Sequence, residues 1–130
     1  MATAISADLR RAVIDRAGGR CEYCHKPQIS FYAHEVDHVI AVKHGGQTTL
    51  DNLAFACFQC NRYKGSDLSS IDPQSHTITP LFNPRTHVWA EHFRLDEAII
   101  TPLTPMGRAT VSLLRLNSPE RVAERRALHV

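Results

Sequence analysis

Two short cysteine motifs frame this sequence: CEYC at residues 21–24 and CFQCN at residues 57–61. Each motif places two cysteines three positions apart, so that one tight turn can direct both thiolates at the same metal ion. All cysteines of the chain lie in these motifs, at Cys21, Cys24, Cys57 and Cys60. Four sulfur ligands fill the tetrahedral shell of zinc and leave no position for water or substrate, so the spacing predicts a structural Zn²⁺ site.

Other uses of paired cysteines fit the chain less well. A disulfide framework is typical of secreted domains, whereas the first residues, MATAISADLRR, lack the basic segment and apolar core of a secretory signal. A redox CxxC pair stays open as an alternative, although thioredoxin-like motifs need a βαβ setting that the sequence does not show. We therefore expect a cytoplasmic protein whose cysteines bind zinc.

Length and composition are those of one globular domain. The chain has 130 residues, of which 43% are hydrophobic and 22% charged, with a formal net charge of +2. These values exclude a disordered or fibrous chain, and no run of about 18 apolar residues is present to span a bilayer. We predict a single domain over residues 1–130 with no membrane partner. The net charge is too small to indicate nucleic-acid binding by itself.

Local patterns predict a mixed succession of helices and strands. Helix caps and stops are expected at Ser6, at Gly18-Gly19, at Gly65, at Thr104-Pro105 and at Ser118-Pro119. Strand candidates rich in aromatic and β-branched residues are 31–42, 53–56, 87–95 and 98–103. Residues 66–85 are rich in Ser, Asp, Pro and Thr and predict a connecting loop.

Further short motifs lie between and after the cysteine pairs, in the order Asp37-His38-Val39, Gly45-Gly46, Asn52-Leu53, Asn61 and Lys64-Gly65. This order, over residues 20–67, resembles the zinc-stapled branch of the HNH endonuclease family, the ββα-metal nucleases. The resemblance implies an α+β fold with a treble-clef-like ββα-metal core at 20–67, preceded by an N-terminal helix. The remaining residues, 68–130, would be an extension made of a loop, a β-hairpin and two helices.

The resemblance also implies roles for individual residues. His38 would be the general base, Asn52 would orient it, and Asp37 and Asn61 would hold a catalytic divalent ion. Asn61 stands where a histidine is the alternative in the family, and amide and carboxylate oxygens suit Mg²⁺ or Mn²⁺. Taken alone, Asn52 is equally a turn residue and Asn61 equally a helix cap.

Phosphodiester hydrolysis accounts for these residue types. The reaction needs a base for the attacking water, and an imidazole can accept a proton near neutral pH. We predict an endonuclease acting on DNA, with RNA not excluded. Lys43, Arg62 and Lys64 are candidate phosphate contacts or merely solvated side chains. Neighbouring strand residues point to opposite faces, so Asp37 and His38 can share a site only if His38 lies at a strand end or a bulge.

Two functions without catalysis would use the same scaffold. One is a zinc-dependent module that binds nucleic acid, and the other is a treble-clef adaptor that binds proteins. The basic residues of the last segment, Arg121, Arg125 and Arg126, either extend a nucleic-acid surface or keep an exposed tail in solution. The sequence specifies neither the oligomeric state nor the preferred nucleic acid.

Overall fold

The structure, a computed structural model, describes residues 4–29 and 33–130. Its helices are α1 (Ala7–Ala17), α2 (Phe58–Lys64), α3 (Trp89–His92), α4 (Pro105–Leu113) and α5 (Pro119–Ala127). Its strands are β1 (Glu35–His38), β2 (Leu53–Ala56), β3 (Ser69–Ile71), β4 (Ile78–Pro80), β5 (Phe93–Asp96) and β6 (Ile99–Pro102). They pair as three antiparallel hairpins, β1-β2, β3-β4 and β5-β6. The α+β prediction is confirmed.

Strands β1 and β2 with helix α2 form the ββα unit of the predicted core. Glu35 pairs with Ala56 and His38 with Leu53. Strand β2 is apolar and buried along its whole length because it is covered on both faces. Leu53 and Phe55 pack against helix α1, whereas Ala56 contacts the cysteines. The N-terminal helix and the cysteine cluster therefore enclose the hairpin between them.

The cysteine motifs share one hydrophobic core with the C-terminal half of the chain. Five apolar residues of that half pack with the cysteines: Phe82, Phe93, Ile100, Leu114 and Leu116. Trp89 adds a polar link, because its indole nitrogen donates to the carbonyl of Tyr23 over 2.9 Å. The extension is thus packed directly against the metal-binding motifs. No helix among the described residues has the length and apolarity needed to cross a membrane.

The loop predicted over residues 66–85 is wrong in part, because it contains the β3-β4 hairpin. The turn of this hairpin is organised by Asp72, which is fully buried. Its carboxylate accepts hydrogen bonds from the Gln74 amide at 3.0 Å and the Ser75 hydroxyl at 2.8 Å. Arg108 of helix α4 then donates to both carboxylate oxygens at 2.9 Å. A distant arginine stabilises a hairpin that local composition does not indicate.

Two predicted strands are shorter than expected. The strand over 31–42 is observed only as Glu35–His38, and its predicted start at Phe31 lies outside the described residues. The strand over 87–95 begins at Phe93, because Trp89–His92 forms a helical turn first. This turn lets the Trp89 ring contact both Phe93 and His25, with ring centroids 5.2 and 4.0 Å away.

The predicted positions of the helix ends are confirmed, although the Ser118 hydroxyl makes no capping hydrogen bond. Ser6 caps α1, Thr104 caps α4 through the Gly107 amide at 3.0 Å, and prolines begin α4 and α5. The interpretation of the C-terminal arginines as exposed is wrong for Arg121 and Arg125, which are buried. Helix α5 turns both inward, and only Arg126 of the three is exposed.

We predict that Arg108→Gln lowers the unfolding temperature by several °C at pH 7, because it leaves a buried carboxylate without its cation. The Arg108 hydrogen bonds hold the pKa of Asp72 well below its ordinary value. The stability that this pair contributes is therefore present above about pH 4 and is lost as the pH falls further. In thermal melts from pH 7 to pH 2, the difference in unfolding temperature between Arg108→Gln and wild type should become smaller as the pH falls.

Arg94→Gln is the matched control for this prediction. Arg94 also contacts both carboxylate oxygens of Asp96, through Nε alone at 2.9 and 3.0 Å, but both side chains are about half exposed or more. An exposed ion pair contributes little to the stability of the fold. Equal losses of stability in the two variants would contradict a special role for the buried pair.

Candidate functional site

The four cysteines meet in one buried cluster. Their sulfur atoms all lie within 4.8 Å of one another, and the Cys24 and Cys57 sulfurs are 3.7 Å apart. Zinc with four tetrahedral thiolate bonds of about 2.3 Å separates its sulfurs by about 3.8 Å, so the arrangement fits this ion. All four cysteines are free of disulfides. They are positioned to form a zinc site with no open coordination position.

Each CxxC turn points backbone N–H groups at its first sulfur. The Cys21 sulfur receives the amides of Tyr23 and Cys24 at 3.4 and 3.5 Å, and the Cys57 sulfur receives the Cys60 amide at 3.4 Å. Hydrogen bonds from the neighbouring thiols lower the pKa of Cys57, whereas burial raises the pKa of Cys60. Ionising all four buried sulfurs therefore requires a cation among them.

Helix α2 has the zinc cluster on one side and a polar cleft on another. Successive helix residues are rotated by about 100°, so Cys60 points into the cluster while Asn61 faces the cleft. The cleft has a volume of about 430 Å³ and is lined in part by Asp37 and His38 of β1 and by Asn61 and Arg62 of α2. The structure thus brings the predicted base and both predicted ion ligands to one shared cleft.

His38 is the last residue of strand β1. Its prediction at a strand end is confirmed, and the β1-β2 register contains no bulge. The chain leaves the sheet at this point, which allows both His38 and the preceding Asp37 to face the cleft. The His38 Nε2 atom lies 2.9 Å from the hydroxyl oxygen of Thr48. Thr48 therefore orients the imidazole.

The side chain of Asn52 forms hydrogen bonds with the backbone of the loop between β1 and β2 and does not contact the His38 imidazole. Its amide oxygen accepts the Ile40 N–H at 3.0 Å, and its nitrogen donates to the carbonyls of Ile40 at 3.0 Å and Gln47 at 2.9 Å. The loop closes so tightly that a Cβ on Gly46 would lie 1.7 Å from the Ile40 oxygen. Only glycine fits there, and Asn52 thereby fixes the chain just after His38.

Asp37 has one carboxylate oxygen, Oδ2, that is buried and has no hydrogen-bond partner among the described residues. The Lys64 ammonium lies 3.9 Å from it. Burial raises the pKa of Asp37, and the charge of Lys64 partly offsets this effect. Asn61 donates its amide nitrogen to Glu35 at 3.2 Å, so its amide oxygen is the atom left for a ligand. A carboxylate with an unpartnered oxygen and an amide oxygen, on two residues that line one cleft, fit a hard divalent ion.

The three basic residues predicted to contact phosphate have different environments. Arg62 is exposed and lines the cleft, and Lys43 is exposed on the turn Val42–His44. Lys64 is only 2% exposed, and its ammonium donates to the Val39 carbonyl at 2.9 Å. Its prediction as a phosphate contact therefore needs correction, because a substrate approaching the cleft does not reach a buried ammonium that already has partners.

Sequence reasoning did not predict the contacts that three residues of the two centres make. Thr48 and Glu35 lie near the predicted residues, but a single hydroxyl or carboxylate in a polar segment carries no signal of its contacts. Arg121, whose guanidinium lies against the Cys60 sulfur, is 61 residues beyond Cys60 in the sequence. No spacing rule connects it with the cysteines.

A four-cysteine cluster beside a cleft between a β-hairpin and a helix is the arrangement of a ββα-metal domain. Comparison with known families adds that residues 21–67 match the family model described as HNH endonuclease. The family recognised from the motifs is thus confirmed for this segment, about a third of the chain. The family implies a nuclease-type activity on nucleic acid. No curated protein matches the chain.

We predict that the purified protein contains one zinc ion per chain and that a strong chelator unfolds it. Removing the ion leaves four buried sulfurs whose charge is unbalanced, and structural zinc sites contribute folding free energy directly. Metal analysis and circular dichroism measure both effects. Zinc should restore the fold after chelation, and Mg²⁺ should not. A folded protein with four reactive thiols, or with disulfides, would contradict the zinc site.

Proposed function

We propose that this chain is a metal-dependent endonuclease that hydrolyses phosphodiester bonds in DNA. The observation that carries the proposal is the shared cleft, which is lined by Asp37, His38 and Asn61 together with Arg62. A protein that only binds nucleic acid needs no base beside oxygen ligands for an ion. The family match supports the same class of substrate.

His38 is proposed as the general base. When Nε2–H donates to the Thr48 hydroxyl, the lone pair of Nδ1 can accept a proton. The attacking water gives this proton to Nδ1 as its oxygen bonds to phosphorus. The bond from phosphorus to the 3′ oxygen then breaks, and the departing oxygen takes a proton from solvent. Asn52 is a positioning residue in this scheme, because it acts through the loop after His38.

Asp37 and Asn61 are proposed to hold one divalent ion, Mg²⁺ or Mn²⁺, through the carboxylate Oδ2 and the amide oxygen. Such an ion supplies charge neutralisation at the phosphate and at the departing oxygen. Glu35 keeps the Asn61 amide nitrogen turned away, which leaves the amide oxygen as the ligand. Arg62 and Lys43, both exposed, are proposed to bind neighbouring phosphates of the nucleic-acid backbone.

We predict that His38→Asn lowers cleavage by about 100-fold or more, the usual contribution of a general base. An amide cannot accept the proton, and asparagine is neutral and smaller than the imidazole that it replaces. Nicking of supercoiled plasmid with Mg²⁺ or Mn²⁺, and with EDTA as a blank, measures the effect. His76→Asn is the control, because His76 is exposed and asparagine tolerates its backbone φ of 60°.

Undiminished cleavage by His38→Asn would exclude His38 as the base. Binding of DNA without any metal-dependent cleavage by the wild type would favour the non-catalytic binding module. A panel of plasmid, linear duplex, single-stranded DNA and RNA substrates identifies the nucleic acid that the cleft accepts.

We predict that Asp37→Asn and Asn61→Ala each shift the Mg²⁺ or Mn²⁺ titration of cleavage by about tenfold or more, and that added ion partly restores activity. A tenfold shift equals about 1.4 kcal/mol of ion binding. Asp37→Asn keeps the shape of the side chain, and thermal melts of both variants check that the fold survives the loss of charge beside Lys64. The exposed Asp8→Asn is the matched control. An unchanged ion titration in both site variants would exclude these two residues as ligands.

A further inference from the structure

Helix α5 places a buried guanidinium against the sulfur cluster. Arg121 is 5% exposed, and its Nη2 atom lies 3.0 Å from the Cys60 sulfur and 3.6 Å from the Cys57 sulfur. Its Nη1 atom donates to the Leu114 carbonyl at 2.5 Å, which fixes the plane of the guanidinium. Within residues 4–29 and 33–130, no carboxylate lies within ion-pair distance of Arg121. The sulfurs are its charge partners.

Electrostatics explains why a buried arginine belongs at this position. Zn²⁺ with four thiolates carries a formal charge of −2, and a buried charge is costly unless opposite charge and hydrogen bonds compensate it. N–H groups of a cation donating to an anionic acceptor make strong hydrogen bonds. One guanidinium in contact with two of the four sulfurs supplies both kinds of compensation.

We propose that Arg121 is an outer-sphere partner of the zinc cluster, and that helix α5 contributes to the retention of zinc through this guanidinium. The guanidinium donates to the thiolates of Cys57 and Cys60 and cancels half of the formal charge of the cluster. This role concerns the zinc centre only, so it stands or falls independently of the proposed nuclease activity.

Helix α5 also contacts the chain beside the first cysteine pair. Lys26, two residues after Cys24, is 4% exposed, and its ammonium lies 3.0 Å from the Glu124 carboxylate. Arg125 ties the same helix to the β5-β6 hairpin through the Ala98 carbonyl at 2.9 Å. The helix therefore contacts the second zinc-binding turn and the chain just after the first, and it is itself anchored to the C-terminal half.

The test compares the zinc release rates of four variants of the full chain with the wild type. Arg121→Gln removes the charge, and Arg121→Lys keeps it with a less favourable donor geometry. Arg126→Gln makes the same neutralising change at an exposed arginine of α5, and Val122→Ala removes packing from α5 without changing charge. Transfer of zinc to a chromophoric chelator gives the rate, and thermal melts report the stability of each variant.

We expect zinc release to be about 10- to 100-fold faster in Arg121→Gln, the usual effect of losing an outer-sphere partner. Arg121→Lys should give an intermediate rate, and the two controls should release zinc at nearly the wild-type rate. In cobalt-substituted protein, the sulfur-to-metal charge-transfer band should move to longer wavelength in both Arg121 variants. The reason is that losing hydrogen bonds raises the energy of the thiolate electrons, so the charge-transfer transition needs less energy.

A wild-type release rate in Arg121→Gln would overturn the proposal, and so would an equal acceleration in Val122→Ala, which would reduce the effect to general packing. If Arg121→Gln does not fold, the proposal is tested with Arg121→Lys instead. A wild-type release rate together with an unshifted cobalt band in Arg121→Lys would then refute the role of the guanidinium.

Discussion

The rest of the structure depends on the convergence of four sulfur atoms on one point. Cys24 and Cys57 are 33 residues apart, yet their sulfurs lie 3.7 Å from each other. Closing the chain over this distance has an entropic cost, which metal binding offsets. The closure brings the β1-β2 hairpin and helix α2 together, and the cleft lies where they meet. The position of every cleft residue therefore depends on the zinc centre, although none of them binds zinc.

Two of the buried cations of the described residues lie beside negative groups, one at the cleft and one at the zinc cluster. Lys64 lies beside Asp37 at the cleft, and Arg121 lies against the thiolates. Burial lowers the pKa of Lys64, and the neighbouring Asp37 partly restores it. The formal net charge of +2 does not describe the surface, because several of the basic residues are buried in the interior. The proposed contacts with a nucleic-acid backbone accordingly involve exposed residues, Arg62 and Lys43.

Elements set by local chemistry were predictable. Ser6 and Thr104 cap helices through their own side chains, and the apolar run Leu53–Ala56 forms a buried strand. The β3-β4 hairpin was not predictable, because its residues have no strand pattern and a bidentate contact from Arg108 stabilises its turn. The helical turn Trp89–His92 was missed for a related reason: contacts of the indole with Tyr23 and His25 override the local preference for a strand.

The sequence by itself determined the ligands of the zinc cluster, because CxxC spacing brings two sulfurs to one turn, and it set Asp37, His38 and Asn61 in the order of the matched family. It also restricted His38 to a strand end or a bulge, and the structure has it at a strand end. Only the tertiary structure decided the contacts of these groups. Thr48 meets the imidazole, Glu35 meets the Asn61 amide, and Arg121 meets the sulfurs through loop closure and helix packing. Such partners are distant in sequence or lack a pattern, so they are defined only when the chain has folded around the four thiolates.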